Sequence, residues 1–265
     1  MQILLLPGPD AASALGALSA LGHRARIGTD PDTRDGLVLA LSHADLAGRD
    51  LRGFPSALWA LDDPWAFDPD PGVRWIFSAD PHAAARYARP AEVLAPCCGD
   101  VEPKPESGVA VDLLLAGPAH PRRILVLQAL KDAMPGLRIA GPAAEGWPPA
   151  QVVLVVSRDA MEGNRRRIPP QRADRELYEA AGRGCCTVTD RTRAGAFEAY
   201  REGEEVLAYE AIRDLPPQVE ALLADPARRR ALGEAARART LAEHTLGHRL
   251  CRLLAIIPAP SKETP

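Results

Sequence analysis

The sequence lacks the features that would assign it to several specialised classes of protein. No apolar run approaches the roughly 18 residues that a membrane-spanning helix needs. The amino terminus, MQILLLPGPD, has no basic segment, and its apolar run is too short for a signal peptide. Lysine and arginine together number 32 against 35 aspartates and glutamates, so the charge balance does not favour nucleic acid or an anionic membrane as a partner. We therefore expect a cytoplasmic protein without a membrane span.

Cysteine and the common catalytic motifs are scarce too. The five cysteines include two adjacent pairs, which lack the C-x-x-C spacing of zinc sites and do not form a disulfide framework. We predict buried thiols in a reducing compartment and no metal site. PGP at 7–9 is not a G-x-G-x-x-G fingerprint, so a dinucleotide oxidoreductase has little support. No H-E-x-x-H, Walker or G-x-S-x-G motif occurs.

What the sequence does contain is a series of short, continuous apolar runs. Ala11–Leu21, which is ended by Gly22, is typical of a crossover helix. Runs that are continuous rather than alternating indicate a parallel sheet covered by helices on both faces. The predicted strands of this first series are Ile3–Leu6, Leu37–Leu41, Ala57–Leu61 and Trp75–Ser78.

A second α/β series follows a segment rich in proline and glycine, CCGDVEPKPESG at 97–108. Its predicted strands include Val111–Leu115, Val152–Val156 and Cys185–Thr189. The two series predict two Rossmann-like domains whose parallel sheets face a cleft, with ligands beyond the carboxyl ends of the strands. The expected boundaries are 1–105, 106–245, a carboxyl-terminal helix at 246–257 and a disordered tail at 258–265.

Four segments follow one another in order through the second half of the chain. They are VDLLLAGPAHPRR (Val111–Arg123), VVLVVSRD (Val152–Asp159), RELYEAAGRG (Arg175–Gly184), and AFEAYREGEEVLAY followed by DPARRRALGEAAR and EHT. Together they resemble the carboxyl-terminal domain of GT-B glycosyltransferases, in particular the branch related to the spore maturation protein CgeB, which has a group 1 glycosyltransferase-like domain. Two segments in the first half, WALDDPW (Trp59–Trp65) and WIFSADPHAAARY (Trp75–Tyr87), fit the amino-terminal domain of the same family more weakly.

The resemblance implies an activity. Such an enzyme moves a sugar from a nucleoside diphosphate sugar to an acceptor without a metal, holding the donor mainly in the second domain. In the family the last helix commonly crosses back to the first domain, and Leu246–Ile256 is expected to do so. The partners would be the nucleotide sugar and an acceptor that the sequence does not identify.

The residues expected to hold the donor follow predicted strands or open helices. Gly117 would let the backbone approach a phosphate, and Arg122 begins the next helix, where the alternative role is an exposed charge. Ser157 and Arg158 follow the Val152–Val156 strand at its carboxyl end. The amino terminus of the helix that begins at Arg175, after Asp174, would attract a phosphate.

Arg175 and Glu179 lie four residues apart and share one helix face. The resemblance implies that Glu179 binds the ribose hydroxyls of the donor and that Arg175 faces the diphosphate. The alternative is a surface ion pair that contributes a few tenths of a kcal/mol.

Three residues of the first domain are candidates for the base that acts on the acceptor. His43, Asp63 and Asp80 each follow a predicted strand at its carboxyl end. Asp63-Pro64 and Asp80-Pro81 are equally typical of turn initiation, and for His43 the sequence favours a polar turn residue over a base.

One position departs from the family pattern. Many retaining GT-B enzymes have a glutamate eight residues before the ribose-binding glutamate, and Gln171 stands there in this sequence. An amide can donate to a sugar hydroxyl but cannot act as a carboxylate. This departure leaves two alternatives open: a catalytically lapsed nucleotide-sugar-binding protein and a nucleotide-sugar epimerase of the same fold.

Overall fold

The computed structural model describes residues 1–32, 35–99, 103, 111–141, 147–158 and 164–258. It divides into two compact units: unit 1 comprises Met1–Pro96, Gly163–Pro170 and Thr245–Pro265, and unit 2 comprises Cys97–Glu162 and Gln171–His244. Each unit contains one parallel sheet, so the predicted fold class of two Rossmann-like α/β domains is confirmed. Most of the predicted linker at 97–108 and of the predicted tail at 258–265 lies outside the described residues.

Unit 1 is built on a six-stranded sheet with the order β2-β1-β3-β4-β5-β6. Every residue of β3 and β4 is buried, which explains why these strands are continuous apolar runs. The last helix of the chain, α9, packs against α1 within this unit. The elements are β1 (Gln2–Leu5), α1 (Ala11–Ala20), β2 (Arg24–Ile27), β3 (Leu37–Ala40), α2 (His43–Leu46), β4 (Ser56–Ala60), β5 (Trp75–Ser78), α3 (Pro81–Ala84), β6 (Ala91–Val93) and α9 (Leu246–Ile256).

Unit 2 is built on a five-stranded sheet with the order β11-β10-β9-β7-β8. The strand order reverses at β7, so β7 and β9 form the switch point at which doubly wound sheets bind ligands. A short 3₁₀ turn at Ile212–Asp214 precedes α7. The elements are β7 (Val111–Ala116), α4 (Pro121–Ala133), β8 (Ile139–Ala140), β9 (Ala150–Val155), α5 (Arg175–Gly182), β10 (Thr187–Asp190), α6 (Ala194–Ala199), β11 (Leu207–Tyr209), α7 (Leu215–Ala224) and α8 (Pro226–Glu243).

The elements that the apolar pattern did not reveal are short or lie at sheet edges. Strand β2 has the sequence RARI and no fully buried residue, so it lacks the apolar signal of the central strands. Strand β6 pairs at the opposite edge of the same sheet, and two of its three residues are exposed. Because an edge strand is paired on one side and partly solvated, its position comes from the pairing with its neighbour rather than from an apolar run.

Candidate active site

The three predicted candidates for the base follow three neighbouring strands of unit 1. His43 lies just after β3, Asp63 after β4 and Asp80 after β5. All three therefore lie at the carboxyl edge of one sheet, which is where ligands bind in this architecture. Asp63 and Asp80 are fully buried, and the His43 side chain is 8% exposed.

Four side chains at this edge form a cluster that we call the imidazole cluster: His43, Asp63, Ser78 and Tyr87. The Nε2 atom of His43 lies 3.2 Å from Asp63 Oδ1 and 2.9 Å from the hydroxyl of Tyr87. The other carboxylate oxygen, Asp63 Oδ2, accepts hydrogen bonds from Tyr87 at 2.7 Å and from Ser78 at 2.6 Å. The arrangement joins an imidazole to a carboxylate, as in sites that move a proton.

The surroundings of the cluster favour a protonated imidazole. Burial alone would lower the pKa of His43, but the hydrogen bond to Asp63 and the charges of Asp62, Asp63 and Asp68 outweigh it, so the pKa is raised. Burial raises the pKa of the neighbouring Asp62, whose carboxylate accepts a hydrogen bond from the backbone N–H of His43 at 3.1 Å. Burial and the charge of Asp63 raise the pKa of Tyr87, which keeps its phenol neutral.

Asp80 makes the contacts of a helix cap. Its Oδ1 atom accepts hydrogen bonds from the backbone N–H groups of His82 at 2.9 Å and Ala83 at 3.2 Å, at the start of α3. Its own backbone N–H donates to the Ser78 hydroxyl at 3.2 Å. These contacts correspond to the turn role that the sequence left open beside the catalytic one.

In unit 2, the switch point is held together by Arg123. This buried side chain donates through Nε to the carbonyl of Val156 at 3.0 Å and through Nη1 to the carbonyl of Pro118 at 2.6 Å. It therefore ties the end of β9 to the end of β7. Burial lowers the pKa of Arg123, and Glu176 at 3.8 Å opposes that effect.

Gly117 lies directly beneath this contact. Its φ of 85° is in the left-handed region, and a side chain there would collide with the guanidinium of Arg123 and the carboxylate of Glu176. In the structure, the groups that approach this glycine closely are side chains of unit 2 itself. The expected approach of its backbone to a phosphate stays a prediction.

A second set of charges lies at the carboxyl ends of β9 and β10. Asp190 Oδ2 accepts a hydrogen bond from the backbone N–H of Ser157 at 2.7 Å, and Oδ1 lies 3.6 Å from Arg122 Nη2. Arg122 also donates to the Thr192 hydroxyl at 3.3 Å and keeps a side chain that is 27% exposed. The structure therefore brings together Arg122 and Ser157, two of the predicted donor residues, through an aspartate.

Arg193 joins this set from the loop after β10. It is buried, its guanidinium donates to the carbonyl of Arg158, and burial lowers its pKa. Its Nε atom and Asp174 Oδ2 are buried without a hydrogen-bond partner in the described part of the chain. Three arginines and three carboxylates thus lie near the switch point, and we call them the arginine network: Arg122, Arg123, Arg193, Asp174, Glu176 and Asp190.

The predicted pair on α5 is formed. Arg175 Nε lies 2.9 Å from Glu179 Oε1, as the ion-pair alternative requires. The Glu179 side chain is 23% exposed, and burial raises its pKa although Arg175 opposes the shift. Arg175 contacts one of the two carboxylate oxygens of Glu179. The contact is therefore compatible both with a simple ion pair and with a ribose-binding role.

A cavity of about 340 Å³ opens on the other side of β7. It lies between α4 and the edge strand β8, and it shares Gly117 and Arg123 with the switch point. Its size is that of small-molecule sites. Ile124, Leu127 and Ile139 make its lining largely apolar, with Lys131 as a second cation.

Sequence reasoning missed Tyr87, Ser78, Glu176 and Arg193 as members of these clusters. Tyr87 lies 44 residues from His43, and nothing in its local sequence indicates that contact. Asp190 carried a signal, because an acidic residue that ends a buried strand points to the edge at which ligands bind. The other four are brought in by the fold rather than by any local pattern.

Two further properties concern membranes and metals. No helix in the described ranges is long and apolar enough to cross a bilayer. Within the same ranges, no three histidine, cysteine, aspartate or glutamate side chains are arranged to hold a metal ion.

The fold and a family match identify the class of protein. A family model described as glycosyl transferase-like matches residues 122–255, just over half of the chain. The protein is thus a glycosyltransferase with two Rossmann-like domains. It belongs to the glycosyl transferase-like family. No curated protein matches the chain.

Solved structures with the same fold are glycosyltransferases of low sequence identity. Sucrose-phosphate synthase from Thermosynechococcus elongatus is 12% identical, with a TM-score of 0.56 over 97% of this chain and 98% of that one. A DNA-modifying β-glucosyltransferase, studied with and without its substrate uridine diphosphoglucose, is 10% identical, with a TM-score of 0.57 over 91% and 94%. Anabaena HepE, in complex with UDP and glucose, is 10% identical, with a TM-score of 0.51 over 96% and 99%. These similarities confirm the GT-B fold.

Proposed function

We propose that the protein transfers a sugar from a uridine diphosphate sugar to a hydroxyl group of an acceptor, without a metal, in the cytoplasm. We further propose that it belongs to the branch related to CgeB, on the segments quoted above. The observation that carries the proposal is the hydrogen bond between His43 and Asp63 at the carboxyl edge of unit 1. It supplies the acceptor-activating group that such a transfer needs. The choice of uridine rests on the two similar structures whose descriptions name UDP or its glucose conjugate.

In this proposal, unit 2 holds the donor. Arg122, Arg158, Arg175 and the backbone around Gly117 and Ser157 would contact the diphosphate, and Glu179 would accept hydrogen bonds from the ribose hydroxyls. Three arginines near the switch point support this assignment, because they can balance the charge that develops on the departing diphosphate. Arg123 and Arg193 are buried, and Arg122 is partly exposed. Positive charge from arginine side chains would then serve where other enzymes use a metal ion.

Unit 1 would act on the acceptor. His43 is the proposed base, and Asp63 stabilises the imidazolium that forms when the proton is taken. Asp80, which caps α3, would support the loop after β5 rather than contact the acceptor.

The test begins with the donor. The purified protein is screened by thermal shift against uridine, guanosine, thymidine and cytidine diphosphates and their common sugars, since a ligand of the native state raises the melting temperature. We expect stabilisation by uridine diphosphate and its sugars. Stabilisation by another nucleotide would correct the donor, and no stabilisation at millimolar ligand would contradict the donor site.

Transfer itself is tested by incubation with radiolabelled donor and an acceptor library, with and without EDTA. The Gln171 position favours a lapsed enzyme as the second candidate function, and this would bind donor without labelling any acceptor. An epimerase would convert the donor with no acceptor present. Loss of transfer in EDTA, restored by a divalent cation, would contradict metal independence.

A further inference from the structure

Tyr87 is the member of the imidazole cluster that contacts both of the other ionisable groups. Its hydroxyl lies 2.9 Å from His43 Nε2 and 2.7 Å from Asp63 Oδ2. Asp63 Oδ1 lies 3.2 Å from the same imidazole nitrogen. The imidazole, the carboxylate and the phenol thus contact one another pairwise. The positions of their protons determine which group donates each hydrogen bond.

The phenol has one proton to donate. The phenol donates this proton to Asp63, because an ionised carboxylate can only accept. The distance agrees, since the hydroxyl is closer to Asp63 Oδ2, at 2.7 Å, than to His43 Nε2, at 2.9 Å. The phenol oxygen then faces Nε2 with a lone pair, so the imidazole must carry its proton on Nε2 and share it between Tyr87 and Asp63 Oδ1. In the neutral imidazole, Nδ1 is the nitrogen without a proton.

Nothing in the described ranges hydrogen-bonds to Nδ1, because both contacts of the ring run through Nε2. The phenol cannot easily turn away from this geometry. Its ring stacks on His43 at 6.1 Å between centroids and meets Phe67 edge-on at 4.8 Å. Ser78, at 2.6 Å, holds the same carboxylate oxygen that receives the phenol proton. Packing and hydrogen bonds therefore fix the orientation of all three groups.

We infer that Tyr87 is a positioning residue that holds His43 as the Nε2–H tautomer, so that Nδ1 is the atom that takes the acceptor proton. This inference rests on the proposed function. In the transfer, the acceptor O–H bond breaks and its proton moves to Nδ1. The oxygen uses that electron pair to bond the anomeric carbon, and the bond from that carbon to the diphosphate breaks with its electrons on the departing oxygen.

The experiment compares the wild-type protein with Tyr87→Phe, which keeps the ring and removes the hydroxyl. Long-range ¹H–¹⁵N spectra of ¹⁵N-histidine-labelled protein report the tautomer, and His43→Gln assigns the His43 signals. We expect a protonated Nε2 and an unprotonated Nδ1 in the neutral wild type, and a mixture of tautomers in Tyr87→Phe. With a working donor and acceptor, kcat should fall by about tenfold, less than the roughly 10²- to 10⁴-fold contribution of an acid–base group itself, because the imidazole remains in place, and KM for the donor should change little.

Tyr200→Phe is the matched control. Tyr200 is a buried tyrosine in unit 2 whose hydroxyl lies 2.8 Å from Thr240 Oγ1, so its loss tests the cost of removing a buried phenol hydroxyl as such. It should leave the His43 spectrum and kcat unchanged. A wild-type spectrum with the proton on Nδ1, or a Tyr87→Phe variant with unaltered tautomer and kcat, overturns the inference.

The proposed function and the tautomer assignment can fail separately. A wild type that shows the expected tautomer but transfers no sugar overturns the proposed function and the catalytic role of Nδ1, and leaves the hydrogen-bond assignment correct. A wild type that transfers sugar with the wrong tautomer overturns the inference alone.

Discussion

At the carboxyl edge of the unit 1 sheet, polar side chains surround one imidazole, whereas at the carboxyl edge of unit 2 they form pairs between arginines and carboxylates. The imidazole cluster can change its protonation state near neutral pH, because its central group is the imidazole of His43, whose ordinary pKa is 6.5. The guanidinium groups of the arginine network keep their charge, because arginine side chains do not deprotonate in proteins. Two sheets of the same type thus end in different groups, one imidazole in unit 1 and paired charges in unit 2. The proposed function assigns the first to proton transfer and the second to binding of the diphosphate.

The largest effect that would sharpen this comparison is expected from His43→Gln. Loss of a general base should lower kcat by about 10²- to 10⁴-fold, while the donor dissociation constant stays within about twofold. Steady-state kinetics and calorimetric donor titration measure the two quantities. His248→Gln, which changes an exposed histidine of α9, is the control. Equal losses of kcat and donor affinity would mean that the proton-moving role does not belong to unit 1.

Glu179→Ala tests the proposed donor site in unit 2. If Glu179 binds the ribose, its loss should weaken donor binding by about 1–3 kcal/mol, because hydrogen bonds to a charged group are removed. Calorimetry with the nucleoside diphosphate measures this directly. Glu220→Ala, at an exposed position of α7, should have no effect. Unchanged affinity in a folded Glu179→Ala variant would contradict the ribose-binding role. The ion pair with Arg175 would then be the remaining interpretation of Glu179 in the wild type.

Gly117→Ala should destabilise the protein by about 1–3 kcal/mol, because it combines a strained backbone with a collision against Arg123 and Glu176. Chemical denaturation measures the change in the free energy of unfolding. Gly203→Ala separates the two causes, since Gly203 has a similar φ of 83° and no atom within 4 Å of the added methyl group. Equal losses in both variants would show that only the backbone matters.

The smallest effect is a pH dependence carried by His43. Its pKa is raised in the folded protein above the ordinary value of 6.5. Its contribution to stability is therefore complete below that value and is lost as the pH rises through the folded pKa. Denaturation of wild type and His43→Gln should show the difference in unfolding free energy shrinking over that window. kcat should rise over the same window, because a base must be unprotonated, and a flat profile would contradict the role of His43.

Much of the fold followed from the apolar runs, while the contacts of the candidate site followed only in part. The buried strands β3 and β4 were evident because every residue in them is apolar or small and covered. The partners of His43 could not be found this way, because Tyr87 reaches it from a segment that follows another strand. The local sequence shows which residues follow a strand. Which strand ends lie next to each other depends on the order of strands in the sheet, which the local sequence does not show.

The helix α9 packs on α1 within unit 1, although the whole of unit 2 lies between them in the chain. During synthesis, the ribosome therefore makes unit 2 before the last helix of unit 1 is available. Until that moment the face of α1 that receives α9 stays uncovered, while unit 2 already has all its segments. Free chains that end just before Thr245 should accordingly show stronger protection from protease in unit 2 than in unit 1.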